Sequence, residues 1–183
     1  MRDNALAVKH SSYCQLLFAR KARGLAHLRR WNGACDVSVA QHCVMACDNV
    51  SRRAAPYALI HDIEEDETGD LLTPVKLRMR QLGIWERFED EIVLPIRKFY
   101  SELAGLNWPW PVDVVAEVAD IDQRLQVTEY RDAVDRDLVR GFVPRSVTPL
   151  PDYLLPWSPQ KAERIFMEGA QRILPALGGH DVV

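Results

Sequence analysis

Glycine is scarce in this chain, with nine in 183 residues, and the alternation of β-branched and polar residues that marks half-buried strands is almost absent. Together these shortages exclude a fold built mainly on sheets. No stretch reaches the ~20 consecutive apolar residues that a bilayer crossing requires, which excludes a spanning helix. The opening Met1-Arg2-Asp3-Asn4 has no apolar run of the kind a secretory leader carries, so none is expected. Charge of one sign is lacking too. There are 23 Lys and Arg against 26 Asp and Glu, a net of -3, which argues against a nucleic-acid coat or a polybasic membrane binder. The four cysteines, Cys14, Cys35, Cys43 and Cys47, form no C-x-x-C pair and no dense framework, and reduced thiols in a cytoplasmic protein are the simplest expectation.

What the chain does have is 48% hydrophobic residues, enough for an apolar core, and apolar spacing of three and four. The expected fold is all-α, a single domain over 1–183, with 176–183 a flexible tail. Helices are expected near 12–30, 37–50, 53–65, 76–104, 111–139 and 158–175. Asp113 and Ser158-Pro159 read as helix starts, and Pro95 should kink or split the fourth helix. Pro144, Pro149, Pro151 and Pro156 make 141–157 an extended loop.

Polar residues on buried helix faces need an explanation, because burying an unpaired charge is costly. Val39, His42, Cys43, Ala46 and Val50 share one helical face, and Ala58, His61, Asp62 and Glu65 another. Val115, Val118, Asp122, Leu125 and Glu129 fall in one narrow arc, which puts Asp120 on the opposite, polar side. Two histidines and two aspartates from three separate helices suit one divalent Zn, Mn, Fe or Co ion with positions open to water and substrate. A lone buried histidine is more often a hydrogen-bonded core residue; four such residues on inward faces weaken that alternative. The acidic run His61–Asp70 contains Glu64, Asp66 and Glu67, which read as a solvated turn, whereas Glu65 lies on the ligand stripe and Asp70 follows a glycine able to turn the chain.

These residues resemble the H…HD…D signature of the HD-domain metal-dependent phosphohydrolases. Ser38-Val-Ala-Gln-His42 is similar to a segment of the branch containing bacterial 5'-deoxynucleotidases and phage dNTP phosphohydrolases. So is His61-Asp-x-x-Glu65-x-x-x-Gly-Asp70-x-x-Thr-Pro-Val-Lys76. Arg30-Trp31-Asn-Gly33 resembles the segment before that branch's first ligand, Asp122-Gln-Arg-Leu-Gln-Val-Thr-Glu129 its D-x-x-x-L-x-T-E stretch, and Pro156-Trp-Ser-Pro159 the loop before its last helix. The likeness covers roughly residues 25–170. The first 25 residues match nothing in it, Ile63-Glu64 and Ile121 replace smaller residues, and Cys43 and Cys47 stand where serine or aliphatics are usual.

The resemblance implies that His42, His61, Asp62 and Asp122 hold one divalent cation, with Co, Mn or Zn ahead of Mg or Fe. It implies hydrolysis of deoxyribonucleoside 5'-phosphates. Glu65 is then expected to orient or deprotonate the attacking water, and Asp70 to serve the leaving oxygen or a sugar hydroxyl. Arg30 and Lys76 would meet phosphate oxygens, the other basic residues of 20–29 being surface charges for the most part. Trp31, with Thr73 and Pro74 opposite, would wall the sugar or base and exclude a 2'-hydroxyl; its plain alternative is a buried aromatic anchor. A dNTP triphosphohydrolase favouring dATP is the first rival, and a non-catalytic nucleotide-binding module the second. Relatives of this kind form homo-oligomers, dimers or larger, in the cytoplasm of bacteria or of phage-infected cells, with nucleotide as partner and neither nucleic acid nor membrane. The Trp108–Pro111 loop reads as internal packing, with a pocket cover or interface as alternatives.

Overall fold

A computed structural model describes the backbone of residues 2–139 and 146–178, with side chains from residue 12 onward. Of the expected flexible tail over 176–183, residues 179–183 lie outside these residues, as does 141–145 of the proline-rich loop; Ala176 and Leu177 instead belong to a short turn, Pro175–Leu177, whose Leu177 is buried in the main core. The described residues are all-α, and their extended pairing is limited to isolated bridges, Arg29 to Ser38 and Cys35 to Val134. No helix among them is long and apolar enough to cross a membrane.

Helix α1 (Arg2–His27) carries Cys14, Phe18, Ala22 and Leu25 on one buried stripe at spacings of three and four. That stripe meets α9 (Pro159–Ile173) through Ala162, Phe166 and Ala170, with α2 (Val39–Asp48) closing the core. Ser158 caps α9 by accepting a hydrogen bond from the Lys161 N–H, as expected of a Ser-Pro start. On the other side of α2 lies α8 (Val112–Asp132), which packs Val114, Val118, Ile121 and Leu125 against Ala46 and Ala58. The site lies along this second seam.

Two expected helices are broken instead, for local reasons. The span 53–65 ends early: α3 covers Ala55–Leu59, then turns closed by i to i+3 bonds (Ile63 N–H to Ile60, Glu65 N–H to Asp62) lead into α4 (Glu65–Thr68). The span 76–104 divides into α5 (Thr73–Gln81), α6 (Trp85–Phe88), a wider turn at Glu89–Val93 and α7 (Leu94–Leu103). Gly83, at φ +66°, ends α5 with its own N–H on the Arg80 carbonyl and the Ile84 N–H on Met79. The backbone stays helical from Trp85 to Leu103, and the change of winding expected at Pro95 falls just before it, in the wide turn at Glu89–Val93. Pro95 itself opens α7, and the wide turn accommodates the N–H that proline lacks. Asp113 is no cap either; Pro111 precedes α8, and Asp113 pairs with Arg53. Helix α8 also stops at Asp132, short of 139. Val115 is exposed, and Val114 takes its place in the core.

The acidic run is only partly the solvated turn expected: Asp66 and Glu67 are exposed, although both are paired, and Glu64 is buried. Glu64 is buried on Arg97, and Asp66 and Glu67 both pair with Lys21. Lys21 is itself buried on α1 over the Tyr100 ring, so it is not a surface charge. These pairs fasten the turn that carries His61 and Asp62 to α1 and α7.

Candidate metal centre

His42 lies in the middle of α2 and is fully buried. Its Nδ1–H donates to Glu129 at 2.7 Å, while the His61 Nδ1–H donates to the Ala58 carbonyl at 2.7 Å. Both bonds fix the tautomer that leaves Nε2 as a lone pair. The two Nε2 atoms then face one another at 3.2 Å. The Asp62 Oδ2 lies 3.2 Å from the His61 Nε2 and 3.7 Å from that of His42; the Asp122 Oδ1 lies 3.1 Å from the His42 Nε2. All four ligand atoms fall within 4.8 Å of one another. Sequence placed His61 and Asp62 on a helix. It is the tight turn after α3 that lets consecutive side chains reach the same point, which a regular helix separates by about 100°.

The electrostatics demand positive charge. Burial opposes protonation of both histidines, and Arg30 adds to that at His42. Glu129 and Asp122 at His42, and Asp62 at His61, nevertheless raise their pKa values. Burial alone would lift the carboxyls, yet His61 holds Asp62 low, and hydrogen bonds with both histidines hold Asp122 well below the ordinary range. Imidazole nitrogens oriented from behind, joined by two carboxylates, fit a divalent cation in donor type and in convergence. The buried His/Asp group can therefore hold a metal ion, and nothing in it selects which. Asp122, 39% exposed at its side chain, is its open side.

A cavity of about 370 Å³ opens beside the cluster, lined among others by Arg30, Trp31, Asp70, Thr73, Pro74 and Lys76. The expected substrate residues thus share one space with Asp62, Glu65 and Asp122. Glu65 is buried, its Oε2 has no protein partner, and burial followed by the Asp62 charge pushes its pKa well above the usual carboxylate range. Arg30 is buried among acids. It lies 3.2 Å from Glu129, 3.3 Å from Asp62 and 3.9 Å from Asp122, and 4.0 Å from Asp70. Asp70 follows Gly69, which at φ +77° turns the chain as expected. It spends one oxygen on the Trp31 backbone N–H at 2.6 Å. Asp120 is exposed on the far side of α8.

Trp31 is both a wall of the cavity and a buried anchor: its indole N–H donates to Glu129 at 2.9 Å. The backbone around it is unusual. Residues 28–30 run against 37–39, with the Arg30 N–H on Val37 and the Val39 N–H on Leu28, and the connecting turn is left-handed at Trp31, Asn32 and Gly33 (φ 59°, 50° and 87°). Two functional features escaped the sequence reading. Glu129 joins His42, Arg30 and Trp31 in one fully buried carboxylate, a role signalled by its place seven residues after Asp122 on an apolar face and at the close of the Asp122–Glu129 stretch, neither of which names its partners. The left-handed turn had no signal beyond Asn32-Gly33. No protein-family model matches this chain, and no curated protein matches it.

Proposed function

We propose that the chain is a divalent-metal-dependent phosphohydrolase of deoxyribonucleoside 5'-phosphates. The observation that carries this reading is the convergence of four ligand atoms at the rim of a cavity that also presents a buried, unpartnered carboxylate oxygen. His42, His61, Asp62 and Asp122 would hold the cation, which when bound supplies Lewis acidity to a phosphoryl oxygen and to water. Glu65, with its raised pKa and free Oε2, accepts a proton from water directed at phosphorus. Arg30 and Lys76 offset phosphate charge, and Trp31 stands against the sugar. The resemblance to HD-domain phosphohydrolases supports the same assignment, and a homo-oligomer belongs to it.

The test is product analysis with dAMP, dATP, AMP and ATP after loading Co, Mn or Zn in turn. Phosphate released from dAMP in preference to AMP is expected. A dNTP triphosphohydrolase is the second reading, favoured by Lys76, a cation that lines both spaces beside the cluster; triphosphate from dATP with dAMP untouched would establish it. A metal-loaded protein that turns over none of the four would be a binding module. Trp31→Ala is expected to lower the dAMP-to-AMP ratio of kcat/KM about tenfold, the scale of a lost steric contact, and an unchanged ratio would remove Trp31 from sugar selection.

A further inference from the structure

The cluster is bordered by a second space. A cavity of about 540 Å³ lies against His61, Asp62 and Asp122, so the candidate ligands stand between it and the Trp31 cavity. Glu65, Leu71 and Lys76 also face both. Each volume falls in the range of about 300–1,000 Å³ typical of small-molecule sites. A nucleoside monophosphate seated on Trp31 with its phosphorus at the cluster puts nothing into the second space.

The walls of that space suit a flat, apolar group. Trp85, Phe88, Trp108 and Trp110 line it together with Val93 and Val118. The rings are held in place: the Trp85 indole N–H donates to Glu89 at 3.0 Å and that of Trp110 to Ser101 at 2.8 Å. Its cations are largely engaged. Arg97 is committed to Glu64, and the Arg80 guanidinium lies 4.7 Å from the centre of the Trp85 ring. A triphosphate would have to lie along aromatic walls with Lys76 as its main counter-charge, whereas an aryl or nucleobase group would stack there.

We propose that the site also takes phosphodiesters, with a deoxynucleoside in the Trp31 cavity, phosphorus at the His42, His61, Asp62 and Asp122 cluster, and an aromatic second arm in the Trp85–Trp108 cavity. This rests on the phosphohydrolase reading above. In the reaction an oxygen of water bonds to phosphorus as the bond from phosphorus to the second arm's oxygen breaks. That oxygen keeps the electron pair and ends protonated by the hydrogen released from water, so a nucleotide monoester and an alcohol leave.

The experiment is calorimetric binding of dAMP, its phenyl ester and dATP to Mn-loaded Glu65→Gln protein, with turnover of the same compounds by the parent. The phenyl ester is expected to bind at least tenfold more tightly than dAMP, and the parent to convert it to dAMP and phenol. Ala119→Trp, on the exposed side of α8 and facing only the second cavity, should lower the ester-to-dAMP affinity ratio at least fivefold. Trp108→Leu should lower it in the same direction by removing a stacking wall. Equal affinity for ester and monoester, or a preference that survives both substitutions, overturns the proposal. So does a dATP preference abolished by Ala119→Trp, which would make the space a polyphosphate site. Binding and turnover of dAMP alone would leave the phosphohydrolase reading standing, while a protein that neither binds nor cleaves dAMP would defeat both.

Discussion

Asp122 and Asp120 are two residues apart on α8, yet one faces two imidazoles and the other faces solvent. Asp122→Ala is therefore expected to abolish stoichiometric metal uptake, read as bound Co or Mn after dialysis, while Asp120→Ala keeps it. The reverse result would mean that the helical phase around this position is misjudged. Glu129 makes the finer prediction. Glu129→Gln keeps the shape but removes the charge that fixes the His42 tautomer and balances Arg30, so metal affinity should fall about 10–100-fold by calorimetric titration, as when other ligand-orienting partners are lost. An unchanged affinity would show that the Ala58 carbonyl and packing orient the histidines sufficiently. His42, Asp122 and their inward phase were legible because α2 and α8 are regular helices whose apolar stripes give their direction away. Glu129 was visible on the same stripe but had no partner in sequence, since its contacts span 87 to 99 positions.

At the scale of elements, regular periodicity carried the long helices and failed where the chain changes its winding. The breaks at 60–64 and 82–93 depend on i to i+3 closure, a left-handed glycine and a wide turn, none of which alters the apolar spacing enough to be read. Two charges were hidden for a related reason: Lys21 and Glu64 look solvent-facing until α1 and α7 are laid against the turn, while Asp66 and Glu67 do keep contact with solvent. The non-helical segment 146–158 shows how a loop is held to a helix. Asp132, the last residue of α8, accepts the Leu154 N–H at 2.9 Å and pairs with Arg131, while Thr128 accepts the Leu150 N–H at 2.8 Å. The Arg131 hydrogen bond first, and the Leu154 N–H with it, hold the Asp132 pKa below its ordinary value despite some desolvation. A carboxyl depressed on folding adds stability above its unfolded pKa, and that contribution drains away as pH falls through the folded value. Asp132→Asn should therefore cost about 1–2 kcal/mol at neutral pH, with the gap in denaturation midpoint closing on acidification below the usual carboxylate range. A gap independent of pH would assign the cost to packing alone.

For the whole molecule, the main core and the site lie on opposite flanks of α2. Phe166 of α9 is fully buried against α1 and is remote from the cluster's ligands in the chain. Phe166→Ala should remove about 3–5 kcal/mol of stability by the loss of a buried ring and the void it leaves. That is a large share of the about 5–15 kcal/mol available to a domain, and chemical denaturation would measure it. Metal uptake by the fraction that remains folded should be that of the parent. A loss of uptake in that folded fraction would show instead that the α1–α9 packing sets the position of His42. All-α architecture was readable from the start because nothing in the composition competes with it. The arrangement of two cavities around one cluster was not, because it arises from side chains of α4, α5, α6 and α8 that no local pattern connects.

The left-handed turn at Trp31 complicates any genetic reading of this site. A tryptophan at φ 59° costs roughly 1–3 kcal/mol, a debt met by the Asp70 carboxylate on its backbone N–H and by Glu129 on its indole. Removing the Asp70 side chain thus lets the turn relax and the aromatic wall swing, as well as deleting a carboxylate from the pocket. A mutational scan scored on turnover alone would rank Asp70 beside Glu65 and could not tell a missing reagent from a displaced wall. The two come apart only in a double substitution: if Asp70 acts through the turn, its loss costs little once Trp31 is already alanine.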